Sequence, residues 1–247
     1  MNRQIRNRTV HAALIALAVG GMTACGSSSS PDSGDSSQQE GATMSGAVVD
    51  GDVAGAAVYE DRNNNKRYDT YEPFAFTDSD GYFSYNPKTD VDYCNNDKVK
   101  DDKYCLNLKT TSGTTTIRAI GGYDKQMGQE FEGGMALKVN AGNPGAVDDP
   151  DANVTSPISS VMEHVSKSEA ATILGVTEAD LDGDYTTSDD PALWKAALTV
   201  QKTVEVAATA LESKFTADPD FGGTFPKADP FVFQALAQIP FLQDAFP

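Results

Sequence analysis

The period of hydrophobic and polar positions changes once along this chain, and the change divides it. From Met44 to Ala141, short apolar or aromatic runs alternate with glycine and Asn/Asp breaks: SGAVVDG, GAAVYED, PFAFTD, GYFSYN, TTTIRAI and MALKVN. Runs of this length, rich in β-branched and aromatic residues, predict strands. Asp50-Gly51 and Asp80-Gly81 mark tight turns between them. Strands this dense within residues 44–141 predict a small β-sandwich. Residues 142–153 form an acidic, Pro/Gly-containing connector. From 154 to 247 the spacing becomes helical, in SPISSVMEHVSK, EAATILG, DPALWKAALTVQKTVEVAATALESKF and FVFQALAQIPFLQDAF. In the long segment Leu193, Ala197, Val200, Val204, Ala207, Ala208 and Leu211 fall mainly at three- and four-residue spacing on one face, which predicts core packing. Asp190-Pro191 and Asp229-Pro230 read as cap followed by first helical residue, and Ser168 before Glu169 as another start. Pro240 breaks or kinks the last segment. The expected fold class is therefore α+β, strands first and helices second.

Ahead of the strands the pattern is different again. Met1–Arg8 carries Arg3, Arg6 and Arg8 without an acid, and Val10–Met22 is apolar and small, interrupted by His11. A permanent membrane helix needs ~20 residues, so this stretch suits the core of an export signal. Met22-Thr23-Ala24-Cys25 follows, and it resembles the lipobox of bacterial lipoproteins, with Met22 where leucine is usual. The resemblance implies that residues 1–24 are removed and that Cys25 is acylated. Two or more chains, at about 0.8 kcal/mol per buried CH2, anchor a protein stably. Gly26 follows the cysteine, with no Asp there, and in Gram-negative bacteria such lipoproteins usually pass to the outer membrane. Residues 25–43 then read as a lipid-bearing cysteine and a Ser-rich tether, GSSSSPDSGDSSQQEGAT, too polar to order itself.

Charge narrows the partners. The chain carries 19 Lys+Arg against 36 Asp+Glu, a formal charge of −17, and loss of the leader's three arginines makes it −20. That excess repels phosphate backbones and anionic lipid heads and favours cations. Cys94 and Cys105 remain after lipidation, and in an oxidising exported compartment they are expected to form one disulfide. The only histidine left is His164. Without a second histidine, a G-x-S-x-G elbow or an H-E-x-x-H pair, nucleophilic and zinc hydrolysis lack their residues, and the chain is not expected to be an enzyme.

The most chemical stretch is Asp61-Arg62-Asn63-Asn64-Asn65-Lys66-Arg67-Tyr68-Asp69-Thr70-Tyr71-Glu72. Oxygen-bearing side chains fall at loop positions one, three, five, nine and twelve. Calcium takes six to eight oxygens, and a twelve-residue loop wraps one ion. The expected ligands are the side chains of Asp61, Asn63, Asn65, Asp69 and Glu72, with the backbone carbonyl of Arg67. Lys66 replaces the glycine of the sixth position, where the chain turns sharply and positive φ is common. A second acidic cluster, Asp180-Leu181-Asp182-Gly183-Asp184, lacks the later ligands and reads as a polar turn.

Over Val49–Tyr85, the D-x-N-x-N loop with its E-P ending and the following T-D-x-x-G-x-F hairpin resemble a known pattern. It is that of the calcium-binding B-type repeats of serine-aspartate surface adhesins and of carboxypeptidase regulatory-like, transthyretin-like sandwiches. The strands-then-helices order, with Val154-Thr155-Ser156-Pro157-Ile158-Ser159-Ser160 at the join, is similar to bacterial surface lipoproteins and exoproteins. The resemblance implies a calcium-stabilised structural or adhesive module held to the outer membrane or cell surface. The alternatives are a glycan- or small-ligand-binding lipoprotein using Tyr68, Tyr71, Phe74, Tyr82, Tyr93 and Tyr104, and a carboxylate-based hydrolase.

Overall fold

The structure is a computed structural model, and it describes residues 41–95, 97 and 100–217. The leader, Cys25, most of the tether and the fourth helical segment with Pro240 lie outside the described residues.

The fold is mixed α+β, with strands in several small sheets and, among the described residues, three α-helices. In chain order the strands are β1 (Thr43–Met44), β2 (Gly46–Val48), β3 (Val53–Ala54), β4 (Ala57–Asp61), β5 (Phe74–Phe76), β6 (Tyr82–Phe83) and β7 (Tyr85–Asn86). They continue with β8 (Val91–Asp92), β9 (Leu106–Asn107), β10 (Thr114–Ile120), β11 (Tyr123–Asp124), β12 (Gln129–Glu130), β13 (Gly134–Asn140) and β14 (Val154–Thr155). The helices are α1 (Pro157–Met162), α2 (Lys167–Leu174) and α3 (Pro191–Ala217). Each strand-like run in the sequence supplies a strand, and the first three helical segments supply α1, α2 and α3. Among the described residues no helix is long and apolar enough to cross a membrane.

The largest sheet runs β13-β10-β4-β5, antiparallel throughout. Alternation gives it two faces. Val58, Ala75, Ile117, Ala119, Met135 and Val139 point into a core with Met44, Val48, Phe83 and Leu106. Glu60 lies on that same face and is fully buried; its carboxylate accepts from Lys109 N (2.7 Å), Thr110 N (3.1 Å) and Thr115 Oγ1 (3.1 Å), which tethers the returning chain to β4. The Cys94–Cys105 disulfide forms, with 5.2 Å between Cα atoms, and closes the polar insert between β8 and β9.

The helices do not stand apart from the strands. β14 pairs parallel with β2, through Val154–Ala47 and Thr155–Val48. A second core therefore mixes Ala47, Val49 and Tyr82 with Ile158, Val161, Leu174, Leu193, Ala197 and Val204. Gly46 sits where a Cβ would lie 2.6 Å from the carbonyl oxygen of Asn153, so the parallel approach depends on its missing side chain. The join Ser156-Pro157-Ile158-Ser159-Ser160 also protects a sheet edge. Ser160 Oγ accepts from Ala136 N (2.9 Å) and Ser159 Oγ donates to Ala136 O (2.7 Å), so the helix start occupies backbone groups of edge strand β13.

α2 begins earlier than Ser168 suggests. Its cap is Ser166, whose Oγ accepts from Glu169 N (3.3 Å) while the Glu169 carboxylate accepts from Ser166 N (2.9 Å). The reciprocal box requires the acid three residues after the serine, a spacing that Ser168-Glu169 does not have.

Candidate metal centre

β4 ends at Asp61 and β5 begins at Phe74, so the twelve-residue loop hangs between two paired strands. Its ends are deep: Asp61 is 2% and Glu72 3% exposed. Asp61 Oδ1 accepts from Asn65 N (3.1 Å) and Oδ2 from Lys66 N (3.0 Å), curling the first half back on its start. Asn63 and Asn65 each accept from the backbone N–H two residues on, at 3.0 and 2.8 Å. The sharp turn is shared between Asn64 (φ 54°) and Lys66 (φ 64°), both left-handed. Asparagine enters that region readily and lysine at some cost. Glu72 closes the loop, with Oε1 accepting from Arg62 N (2.8 Å) and Oε2 from Asp69 N (2.9 Å).

The loop's centre is Asp69. Its Oδ2 accepts from the side-chain amides of Asn63 and Asn65, both at 2.8 Å, and from Tyr71 Oη at 3.3 Å. Asp61, Asn63, Asn65, Asp69 and Glu72 are thus brought onto one small loop, and Arg67 joins it by donating its N–H to Asn65 Oδ1. In this arrangement the asparagine NH2 groups, and not their oxygens, face Asp69. Among the described residues no three His, Cys, Asp or Glu side chains form a metal-holding group. The donor set nevertheless suits a hard cation. A carboxylate has about four lone-pair sites and an amide oxygen two. Glu72 uses two of its four in the bonds above, and each asparagine oxygen uses one of its two.

Sequence reasoning missed the group that holds this loop to the rest of the protein. Arg118, in the middle of β10, is 2% exposed and lies opposite Tyr59 of β4. Its Nε donates to Asp61 Oδ2 at 2.6 Å, and Nη2 donates to Glu163 Oε1 at 2.6 Å and Asn64 Oδ1 at 3.2 Å. Glu163, at the end of α1, is 6% exposed. Burial alone would weaken the charge on both partners, but their mutual hydrogen bonds and attraction win. The Arg118 pKa is raised and that of Glu163 lowered. The signal was present in TTTIRAI: an arginine between Ile117 and Ala119 in a strand of a covered sheet requires an anion nearby. His164, beside Glu163, is pushed below its ordinary pKa, first by burial.

The other candidates are placed as follows. Asp180 caps Thr177 N (2.8 Å), Asp182 pairs with Lys167 (2.5 Å) and Asp184 caps Thr186 N (2.7 Å), so the second cluster is a turn whose acids serve separate bonds. Tyr68, Tyr71 and Phe74 are exposed, Tyr82 is buried, and Tyr93 packs against Tyr104 with 4.9 Å between centroids and the rings tilted by 51°. Tyr59, Tyr68, Phe74 and Phe76 form an edge-to-face ladder with interplanar angles of 72–87°, which presents no flat platform. A scan against protein-family models finds no match, and searches of the curated proteins and of the solved structures find none either.

Proposed function

We propose that this chain is a lipid-anchored surface module with a structural or adhesive role, whose strand-rich part is a small sandwich stiffened by calcium. The observation that carries the reading is the closed loop between β4 and β5. Five oxygen-bearing side chains at calcium-loop spacing lie within one ring of hydrogen bonds, and its two buried carboxylates are fixed by backbone N–H groups. Calcium would be held by Asp61, Asn63, Asn65, Asp69 and Glu72 with the Arg67 carbonyl. It would relieve repulsion among three carboxylates on one loop and pin β4 against β5. A glycan-binding role draws on the exposed Tyr68, Tyr71 and Phe74 beside the same loop, but sugar stacking favours open ring faces over the edge-to-face ladder found there.

Calorimetric titration of the full-length protein tests the calcium reading. An ion that binds only the folded loop raises stability by about 2.7 kcal/mol at a hundredfold excess over Kd. Glu72→Ala should remove the response more completely than Asn63→Ala, and magnesium should substitute poorly because it prefers a smaller octahedral shell. No binding heat at millimolar calcium, with melting unchanged in chelator, would reduce the loop to a solvated turn.

The anchor has its own test. Cys25→Ser should abolish incorporation of labelled palmitate and release the protein from membranes. Unchanged labelling and fractionation in that variant would end the lipoprotein reading while leaving the calcium loop untouched.

A further inference from the structure

Between the β11–β13 region and α3 lies a cavity of about 220 Å³, well away from the calcium loop in sequence. Its buried wall is apolar: Met135, Pro157, Val204 and Ala208, with half-buried Phe131 beside them. Its exposed mouth is acidic, carrying Glu130, Glu132 and Glu205. Glu205 is paired with Lys202 at 2.6 Å, whereas Glu130 and Glu132 make no ion pair among the described residues. None of the described lining residues is basic. Gln201 also lines the cavity, with its Nε2 donating to Asp50.

We propose that the cavity is a binding site for a small organic cation with a short apolar stem, an alkylammonium or alkylguanidinium. The stem would lie against Val204 and Ala208, and the cationic head would face Glu130 and Glu132. An ammonium brings three donors and a guanidinium five, and neither brings an acceptor, which matches a mouth built from acceptors. The cavity is below the ~300–1,000 Å³ of sites for drug-sized ligands, which limits the occupant to a few heavy atoms. The free small molecule is favoured over a lysine or arginine side chain of a protein partner. A docked protein would need an apolar surround, and here the surround is Gln129, Glu130, Glu132, Glu205 and Thr209. The proposal does not rest on the calcium reading, since no residue is shared.

The test is calorimetry on the full-length protein with pentylamine and butylguanidine, against pentanol as the neutral match. Both cations should bind at least tenfold more tightly than pentanol, and more weakly as salt is raised. Glu130→Gln with Glu132→Gln should weaken both cations at least tenfold without changing the melting temperature. The equal charge change at Glu178→Gln with Asp189→Asn should leave them unaffected. Ala208→Phe, which fills the apolar wall, should abolish binding. If that variant fails to fold, the glutamate pair still decides. Equal binding of pentanol, equal weakening by both charge pairs, or no binding of any probe at millimolar concentration would overturn the proposal. So would binding of a lysine-containing peptide but of neither free cation.

Discussion

Arg118→Met should lower unfolding stability by about 3–5 kcal/mol, the loss typical when one partner of a buried ion pair is removed. The guanidinium is the positive member of a buried triad, with Asp61 and Glu163 each 2.6 Å away. Methionine fills most of the volume but leaves two carboxylates without their counter-charge. For a folded unit of this size that loss corresponds to a drop in Tm of roughly 10 °C, readable by calorimetry. Adding Glu163→Leu to the same chain should recover part of the loss, because Asp61 still accepts from Asn65 and Lys66 backbone N–H groups. Calcium provides a second readout. On the calcium reading, removing a cation from Asp61 should tighten the loop's affinity and let the ion restore some stability. A loss below about 1 kcal/mol for Arg118→Met would mean that the triad holds nothing in place.

The strands were legible where a run was long enough to show its period. In GAAVYED, Val58 faces the core and Tyr59 the opposite face, and the alternation continues into Glu60 and Asp61. Two-residue strands such as Val53–Ala54 and Tyr123–Asp124 carry no period, so composition alone could not place them. The parallel pairing of Val154–Thr155 with Ala47–Val48 joins residues more than a hundred positions apart, and nothing local announces it. That pairing makes the two patterns one compact unit with a shared core, whereas the sequence shows only a change of period.

The loop was legible in a different sense. Spacing alone singled out positions one, three, five, nine and twelve, and the structure links those residues by hydrogen bonds within one loop. Spacing does not say which way a side-chain amide turns, and Asn63 and Asn65 point their NH2 groups at Asp69. Nor does it say what else reaches Asp61. Arg118 comes from a strand 57 residues away and takes one oxygen of Asp61. The arginine's need for an anion was readable in the sequence, but the identity of that anion depends on strand register.

Stability should be greatest in mildly acidic solution, falling toward alkaline pH because of Asp50. This residue follows β2, is 5% exposed, and accepts from Gln201 of α3 and from Tyr185 Oη at 3.5 Å. Burial, and then the charge of Asp124, raise its pKa from 3.8 to about 8. Asp124 is 1% exposed and packs so close to the Asp50-Gly51 turn that a Cβ on Gly51 would lie 2.2 Å from its Oδ1. A folded-state pKa above the unfolded value favours the protonated form. The stabilisation is fully present below the unfolded pKa near 4 and is lost as pH rises through about 8. By linkage the loss at pH 7 is on the order of 4 kcal/mol relative to pH 4. Glu163 works in the opposite sense: its lowered pKa gives stability that is lost as pH falls through the folded value, below 4.5. The two together place the optimum between the acid limb of Glu163 and the alkaline limb of Asp50. Asp50→Asn carries no charge and keeps one of the two acceptor oxygens that face Gln201 and Tyr185. In urea unfolding it should match the parent protein near pH 4 and exceed it by several kcal/mol at pH 8, with a flatter profile between. Parallel pH profiles for the two proteins would show that Asp50 is charged in the folded state at no cost, and that another group sets the alkaline limb.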